Sequence, residues 1–399
     1  MNKDLDRLHR YPFEKLAELK QGLQPPHHLD HIALSIGEPQ HPAPHFVIEN
    51  LIAHLHQLSS YPSTKGSQQL RQAIAGWLSR RFDISPGLVD AETNLLPVSG
   101  TREALFAIAQ AVVDRSAAHP LVFMPNPFYQ IYEGAALLAG ASPLYLDCLP
   151  DNGFLPDLDS VDAAEWSRCQ LIYICTPGNP TGAVMPREYL ERLIELAQRY
   201  DFVIASDECY SEIYFDEQTP PPGLLGVAAD MGNDRFDRCL AFHSLSKRSN
   251  LPGLRSGFVA GDARILAKFL LYRTYHGCAL PSATQTASTA AWSDENHVVE
   301  NRGRYRQKFE QVLALLSDTL APQKPQAGFY LWASTPVSDT EFAARLYAEQ
   351  NVTVLPGRFL SRDHDGGDPG ENRVRMALVA TLDECLDAAN RINSLISAL

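Results

Sequence analysis

The sequence predicts an α/β protein with a mainly parallel β-sheet that is covered by helices on both faces. Between about residues 95 and 260, short apolar runs alternate with stretches of helical spacing. Strands that are apolar along their whole length are typical of a sheet buried on both faces. The alternation of strand and helix is typical of parallel strands joined by crossover helices.

Six apolar runs in this region are predicted strands, and three amphipathic segments between them are predicted helices. The strands are "PLVFM" (120–124), "SPLYL" (142–146), "QLIYIC" (170–175), "DFVIAS" (201–206), "CLAFH" (239–243) and "SGFVAG" (256–261). The helices are "TREALFAIAQAVV" (101–113), "YQIYEGAALLAG" (129–140) and "PREYLERLIELAQRY" (186–200).

The chain of 399 residues is long enough for a second lobe. Beyond about residue 282, amphipathic helices predicted over 298–320, 339–350 and 382–395 surround a few short strands. We therefore divide the chain into three parts. Residues 1–45 form an N-terminal arm and part of the small domain, 46–285 form the large domain, and 286–399 form a small α+β domain.

Composition and charge exclude several classes of function. The formal net charge of −13 argues against binding to nucleic acid or to an anionic membrane, because both need clustered Lys and Arg. No apolar segment approaches the roughly 20 residues that cross a bilayer, and the charged N-terminus lacks a secretory signal. The seven cysteines show no C-x-x-C spacing, so no metal site is expected. A cytoplasmic protein with a small-molecule ligand is predicted.

Polar motifs follow three of the predicted strands. They are "TPGNPTG" (176–182) after the strand at 170–175, "DECY" (207–210) after 201–206, and "SLSK" (244–247) after 239–243. In open α/β sheets, ligands bind beyond the carboxyl ends of the strands. In addition, "VSGTRE" (98–103) opens a predicted helix, whose free backbone N–H groups suit a phosphate.

Each of these motifs has an ordinary structural explanation when it is taken alone. Lys247 fits a solvated loop, Asp207 fits a helix cap, and Asn179 fits its turn. Their joint occurrence at successive strand ends favours a single site instead.

Together the motifs "TPGNPTG", "SDECY" and "SLSKRSNLPGLRSGF" resemble the class I/II aminotransferases. These are fold-type I enzymes that use pyridoxal 5′-phosphate. The resemblance extends from "SIGEP" near residue 36 to "RVRMAL" near residue 375. It implies a large domain built on a mainly parallel seven-stranded sheet flanked by helices, together with a smaller α+β domain.

A narrower resemblance rests on "LDRLHRYPFEKL", "SGTREALF" and "AGFYLW". These segments are similar to the proteobacterial N-succinyldiaminopimelate aminotransferases. The similarity implies transamination between N-succinyl-L,L-2,6-diaminopimelate and 2-oxoglutarate, a step of lysine biosynthesis.

The family resemblance implies a role for each polar residue near the cofactor ring. Lys247 bonds covalently to the cofactor aldehyde and, once displaced by substrate, moves the α-proton. Asp207 faces the pyridine nitrogen and keeps it protonated. Tyr210 and Asn179 face the phenolic oxygen of the cofactor, and Tyr129 stacks on its ring.

The resemblance also implies a phosphate site and a homodimer. The phosphate site consists of the guanidinium of Arg255, the hydroxyls of Ser244 and Ser246, and the backbone of Gly100, Thr101 and Arg102. In the family, a tyrosine of the neighbouring subunit reaches this phosphate, and Tyr61 in "YPSTKGSQQLR" occupies the matching motif.

For the substrate, the resemblance assigns Arg375 to the α-carboxylate, with the backbone of Gly37 beside it. Arg373 points to the same face of the strand, but the motif favours Arg375. The distal end of a succinylated substrate needs a further cation. Arg102, Arg358 and Lys65 are candidates that the sequence does not rank.

Other activities remain open at this point. Aminotransferases for aspartate, aromatic or kynurenine-type substrates share the same cofactor residues, and C–S lyases share the fold. A non-catalytic regulator with this fold usually carries an added DNA-binding domain. Only about 35 residues precede "SIGEP", and the chain is acidic, so catalysis is favoured.

Overall fold

The computed structural model describes residues 1–364 and 367–399. Its α-helices are α1 Pro12–Leu19, α2 His45–Ala53, α3 Gln68–Arg81, α4 Thr101–Val112, α5 Ile131–Ala139, α6 Ala163–Trp166, α7 Arg187–Tyr200, α8 Leu224–Asp230, α9 Leu245–Arg248, α10 Ala263–His276, α11 Ser282–Ser293, α12 Asn296–Leu316, α13 Asp339–Gln350 and α14 Leu382–Ser397. Its strands are β1 Ile32–Ala33, β2 Leu95–Val98, β3 Leu121–Asn126, β4 Ser142–Asp147, β5 Cys169–Cys175, β6 Val203–Asp207, β7 Cys239–Ser244, β8 Gly257–Gly261, β9 Tyr330–Ser334, β10 Val352–Thr353, β11 Leu355–Pro356 and β12 Arg373–Ala377.

Seven strands form the main sheet, in the order β2-β8-β7-β6-β5-β3-β4. The five neighbouring strands β4, β3, β5, β6 and β7 pair in parallel, and β8 is antiparallel to both of its neighbours, β7 and β2. This arrangement confirms the predicted α/β fold and its mainly parallel seven-stranded sheet. The carboxyl ends of β5, β6 and β7 therefore lie side by side at one edge of the sheet.

Strand β5 shows why the strands are apolar along their whole length. Leu171 and Tyr173 pack in a hydrophobic cluster on one face of the sheet, whereas Ile172 and Ile174 pack in a separate cluster on the other. Successive side chains of a strand point to opposite faces, so a sheet covered on both faces needs apolar residues at every position.

Helix α7 shows how the covering helices are specified. Its residues Leu190, Leu193, Ile194 and Ala197 are all buried, and their spacing places them on one face of the helix. The helix ends at Asp201, which adopts the left-handed conformation with φ of 66°.

The small lobe consists of the antiparallel sheet β11-β12-β9 packed with α12, α13 and α14. Strand β1 of the N-terminal arm pairs in parallel with β10, which attaches the arm to this lobe. The division at residue 285 would cut α11, which packs on α2 and α3 of the large lobe. We therefore propose that the two lobes divide after α11.

In the described part of the chain, no helix is both long and apolar enough to span a bilayer. Nor is any group of three or more His, Cys, Asp or Glu side chains in residues 1–364 and 367–399 arranged to hold a metal ion.

Candidate active site

A cleft of about 500 Å³ opens at the carboxyl edge of the main sheet, between the two lobes. Twelve of the residues singled out in the sequence line it: Gly37, Thr101, Arg102, Tyr129, Asn179, Asp207, Tyr210, Ser244, Ser246, Lys247, Arg255 and Arg375. Strands β6 and β7 end on Asp207 and Ser244, and β12 brings Arg375 from the small lobe. The fold therefore brings motifs that are far apart in the chain into one cleft.

Lys247 lies on α9, a single helical turn that begins directly after β7 and is capped by the Ser244 side chain. Its Nζ donates a hydrogen bond to the carbonyl oxygen of Gly37, on the segment that follows β1. Burial lowers the pKa of the Lys247 amine to about 8, and the positive charges of Arg375 and Arg255 act in the same direction. A neutral, nucleophilic amine is therefore available near neutral pH.

Asp207 is a buried carboxylate at the floor of the cleft. Its Oδ2 accepts a 2.7 Å hydrogen bond from the hydroxyl of Tyr132, and its Oδ1 accepts a 3.3 Å bond from the backbone N–H of Cys209. Burial raises the pKa of Asp207, while these hydrogen bonds oppose the rise. Sequence reasoning missed Tyr132. Its spacing from Tyr129 was a usable signal, since it lies three residues further on, at the start of α5.

The opposite end of the cleft has the features of an anion site. Helix α4 begins at Thr101, and no side chain among the described residues caps its N-terminus, so its first N–H groups are available to an anion. The cap residue Gly100 has φ of 84°, and a Cβ there would lie 2.2 Å from Nη2 of Arg255. Glycine thus permits the guanidinium to approach the helix end. The hydroxyls of Ser244 and Ser246, 2.9 Å apart, complete the site.

Arg375 lies on the small-lobe side of the cleft and is buried. Its Nη1 donates to Oδ1 of Asn179 at 2.9 Å, and its Nη2 donates to the carbonyl of Ser35 at 2.7 Å. Its Nε is buried without a hydrogen-bond partner among the described residues. A carboxylate is the natural partner for such a guanidinium.

Tyr330 connects this cation to the floor of the cleft and was not predicted from the sequence. Its ring lies 4.5 Å from the guanidinium carbon of Arg375, and its hydroxyl is 3.1 Å from the hydroxyl of Tyr210. A Cβ at position 37 would lie 1.9 Å from the same hydroxyl. Close packing beside Tyr330 therefore explains why residue 37 is a glycine.

Arg102 lies at the mouth of the cleft, where its side chain is exposed. Its Nε donates to the hydroxyl of Tyr129 at 2.6 Å, and its Nη2 donates to the hydroxyl of Tyr11 at 3.2 Å. No carboxylate forms an ion pair with Arg102 in the described parts of the chain. Tyr11, on the N-terminal arm, is a further lining residue that sequence reasoning missed.

Four other residues weighed in the sequence lie outside this cleft. Tyr61 is fully exposed, Lys65 pairs with Glu92 at 2.8 Å, Arg358 pairs with Asp339 at 2.7 Å, and the guanidinium carbon of Arg373 lies 5.1 Å from the ring of Phe154. Within one chain, Arg102 is therefore the only one of the three distal-end candidates in the cleft. Arg375, rather than Arg373, faces the site, as the motif favoured.

Comparisons with known proteins agree with this geometry. Residues 30–392 match the family described as Aminotransferase class I and II. An LL-diaminopimelate aminotransferase of Nitratidesulfovibrio vulgaris is 32% identical over 374 residues, which cover 92% of each chain.

Two solved structures share the whole fold. An aminotransferase from Neisseria meningitidis is 48% identical with a TM-score of 0.94, and the match covers 99% of this chain and all of that one. A structure from Thermus thermophilus, described as a probable N-succinyldiaminopimelate aminotransferase, is 26% identical with a TM-score of 0.83. That match covers 96% of this chain and 99% of the other.

A family match over most of the chain agrees with a cleft that holds a lysine amine of lowered pKa, a buried carboxylate and a group of anion-binding donors. The chain belongs to the class I and II aminotransferases, which depend on pyridoxal 5′-phosphate and transfer an amino group between an amino acid and a 2-oxo acid.

Proposed function

We propose that the cleft residues hold pyridoxal 5′-phosphate along the line from Arg255 to Asp207. The chemistry of the residues present fits each part of the cofactor. The α4 N-terminus, Arg255, Ser244 and Ser246 suit the phosphate dianion, and the glycine at position 100 leaves room beside the guanidinium. Asp207 suits a protonated ring nitrogen, and Lys247 suits the aldehyde.

When bound, the cofactor acts as an electron sink for the negative charge that develops at the substrate α-carbon. Asp207, oriented by the hydrogen bond from Tyr132, would hold the ring proton of the cofactor through a charged hydrogen bond. Lys247 anchors the cofactor and, once released, moves the α-proton at its Nζ. Tyr210, Asn179 and Tyr129 line the same cleft, where the first two would face the phenolic oxygen of the cofactor and Tyr129 would cover its ring.

Substrate binding depends first on the α-carboxylate, which every amino acid and 2-oxo acid substrate carries. We assign it to Arg375, whose Nε lacks a partner among the described residues, with the backbone of Gly37 beside it. The bond from Arg375 to Asn179 joins the carboxylate site to the cofactor site.

We propose that the amino donor is N-succinyl-L,L-2,6-diaminopimelate and that the acceptor is 2-oxoglutarate. The observation that carries this choice is Arg102, a cation at the cleft mouth that contacts phenols and pairs with no carboxylate in the described residues. Because Arg375 is assigned to the substrate α-carboxylate, Arg102 is the cation that can bind a second carboxylate at the distal end of the substrate. The description of the Thermus structure supports the same choice.

Free LL-diaminopimelate is the second candidate, because curated relatives are named for that reaction. Compared with the succinylated compound, it has one carboxylate fewer and one ammonium more. Glu38 lines the cleft and could pair with such an ammonium, but Arg102 and Arg375 leave the substrate side more positive than negative. This charge balance favours the more anionic donor.

A substrate panel tests the proposal. Purified enzyme with 2-oxoglutarate receives N-succinyl-L,L-diaminopimelate, LL-diaminopimelate, aspartate, phenylalanine or kynurenine, and glutamate formation is measured. We expect the highest kcat/KM with the succinylated donor. We also expect Arg102→Gln to lower that value by about 10- to 100-fold while changing the value for phenylalanine little. Exclusive use of another donor would refute this specificity and leave the aminotransferase family intact.

We also propose a homodimer in which Tyr61 reaches the phosphate site of the partner subunit. Tyr61 is fully exposed, and it follows a helical segment that exposes Ile52, Leu55 and Leu58. Several large apolar side chains exposed within one short segment are typical of a subunit interface. A second copy of the chain would cover these side chains and explain their exposure in a single chain.

A further inference from the structure

The short segment that carries Lys247 forms hydrogen bonds with the first helix of the small lobe and the residues just before it. The segment comprises Lys247, Arg248, Ser249 and Asn250, and the helix is α12. Each of the last three residues forms a side-chain hydrogen bond with residues in or just before the first two turns of α12. We call this set of contacts the α12 clamp, and it lies on the side of the segment away from the cleft.

Arg248 contributes the innermost part of the α12 clamp. Its buried guanidinium donates to the carbonyl of Ala291 at 2.9 Å and pairs with Glu295. The rings of Trp77 and Trp292, whose centroids are 4.7 Å apart, both lie close to it, 5.5 and 4.8 Å from the guanidinium carbon. A buried cation is retained only where several groups compensate for its lost hydration.

Ser249 and Asn250 form the next side-chain contacts with α12. The hydroxyl of Ser249 is 2.8 Å from Nε2 of His297, whose Nδ1 is 2.6 Å from Asp294. Asn250, in the left-handed conformation with φ of 52°, donates to Oδ1 of Asn301 at 3.0 Å. Arg248 thus pairs with Glu295 just before α12, Ser249 contacts the first turn of α12, and Asn250 contacts its second turn.

Asn301 is the residue in which these contacts meet. It is 3% exposed, and both ends of its amide are engaged. Its Nδ2 lies 3.4 Å from the carbonyl oxygen of Lys247 and 3.5 Å from that of Arg248, and its Oδ1 accepts from Asn250. The same Oδ1 is 2.8 Å from Nδ1 of His41.

His41 extends the connection to the other side of Lys247. It lies in the same segment as Gly37, and the carbonyl of Gly37 accepts the hydrogen bond from Lys247 Nζ. The Asn301 side chain therefore connects the main chain at Lys247 to the segment 37–41, which accepts the hydrogen bond from the lysine amine. An amide is required for this, because it donates at one end and accepts at the other.

We infer that Asn301 is a positioning residue for Lys247. It fixes the main chain of the lysine turn and, through His41, the segment over its amine. Reaction geometry is sensitive to shifts of about 1 Å, so loss of this support lowers the rate without removing any group that touches substrate or cofactor. The inference rests on the proposed role of Lys247 and is independent of the choice of amino donor.

The test compares Asn301→Ala with Asn393→Ala as a matched control. Asn393 also joins two segments of the small lobe, donating to Leu315 at 2.8 Å and accepting from Thr319, but it lies on α14 outside the cleft lining. Three quantities are measured for each holoenzyme: the thermal midpoint, kcat, and the pH midpoint of the visible absorbance of the bound cofactor.

We expect Asn301→Ala to lower kcat by about 10- to 100-fold. We also expect it to shift the pH midpoint of the visible band by at least about half a pH unit. Asn393→Ala should lower the thermal midpoint and leave the other two quantities unchanged. If Asn301→Ala lowers only the thermal midpoint, as the control does, the residue is merely structural and the inference is overturned.

A milder variant keeps the test decisive if Asn301→Ala does not fold. His41→Phe retains a ring against Tyr305, 4.6 Å away between ring centroids, but removes the hydrogen bond to Asn301. A smaller shift of the visible band in the same direction is expected, and an unchanged band contradicts the inference. If wild-type enzyme and Lys247→Ala share the same visible band, the proposed role of Lys247 fails instead.

Discussion

The hydroxyl of Tyr132 donates a 2.7 Å hydrogen bond to Oδ2 of Asp207, and both side chains are buried. The ring of Tyr132 stacks on Tyr173, with 4.6 Å between the ring centroids and 7° between the ring planes. Burial raises the pKa of Asp207, and the bond from Tyr132 opposes that rise. The hydrogen bond from Tyr132 thus favours the ionised form of Asp207, which the proposed contact with a protonated ring nitrogen requires.

Tyr132→Phe removes this donor and keeps the ring in its stack. A hydrogen bond to a charged group contributes about 1.5–3 kcal/mol, so the cofactor should bind about 10- to 100-fold more weakly and kcat should fall. Titration of the apoenzyme with cofactor measures the change. Tyr173→Phe is the control, since that hydroxyl donates to the carbonyl of Leu105 instead. Equal affinities in the two variants would contradict this role for Tyr132.

The lowered pKa of Lys247 predicts how cofactor capture depends on pH. Only the neutral amine attacks the aldehyde, and burial lowers its pKa to about 8. As pH rises, the capture rate of the apoenzyme should increase up to about pH 8 and then level off. Stopped-flow absorbance measures this rate. An ordinary lysine has a pKa of about 10.4. A capture rate that keeps rising up to pH 10 would therefore contradict the lowered pKa of Lys247.

Arg375→Gln should raise KM for both the amino acid and the 2-oxo acid by about 10- to 100-fold, because each binds through its carboxylate. Arg373→Gln provides a matched control two residues earlier on β12. Its guanidinium contacts Phe154 and does not line the cleft. Steady-state kinetics measures KM for both variants, and the KM of Arg373→Gln should equal that of the wild-type enzyme. A larger KM effect in Arg373→Gln would reverse the assignment.

The proposed composite sites of a homodimer predict complementation between two impaired variants. Lys247→Ala removes the amine of its own site, and Tyr61→Ala weakens the phosphate site of its partner. A mixed dimer of the two therefore contains one site with both residues intact. Unfolding and refolding the variants together should give more activity than either variant shows when refolded alone at the same total concentration. No restoration, despite mixed dimers detected by native mass spectrometry, would exclude a shared site.

The sequence predicted the central part of the fold because buried parallel strands are continuous apolar runs. All six predicted runs became strands of the main sheet, displaced by at most two residues at either end. The remaining strand, β2, is the four-residue segment "LLPV" with an internal proline. It was missed because such a short segment has no periodicity, and its place is set by pairing with β8.

The site residues fell into two groups. Residues directly after a strand, such as Asp207 and Lys247, were predictable because the carboxyl edge of the sheet collects them. Tyr330 and Asn301 were not, because each lies on another element and reaches the site through tertiary packing. Single-sequence patterns contain no information about such contacts.

The proposed chemistry depends above all on Lys247 as the residue that holds the cofactor, and one measurement tests this directly. Reduction of the holoenzyme with borohydride, followed by proteolysis and mass spectrometry, identifies the lysine that carries the cofactor. We predict a single modified peptide, "SLSKR" or a fragment that contains it, with the added mass on Lys247. Modification of a different lysine, or of none, would contradict the account.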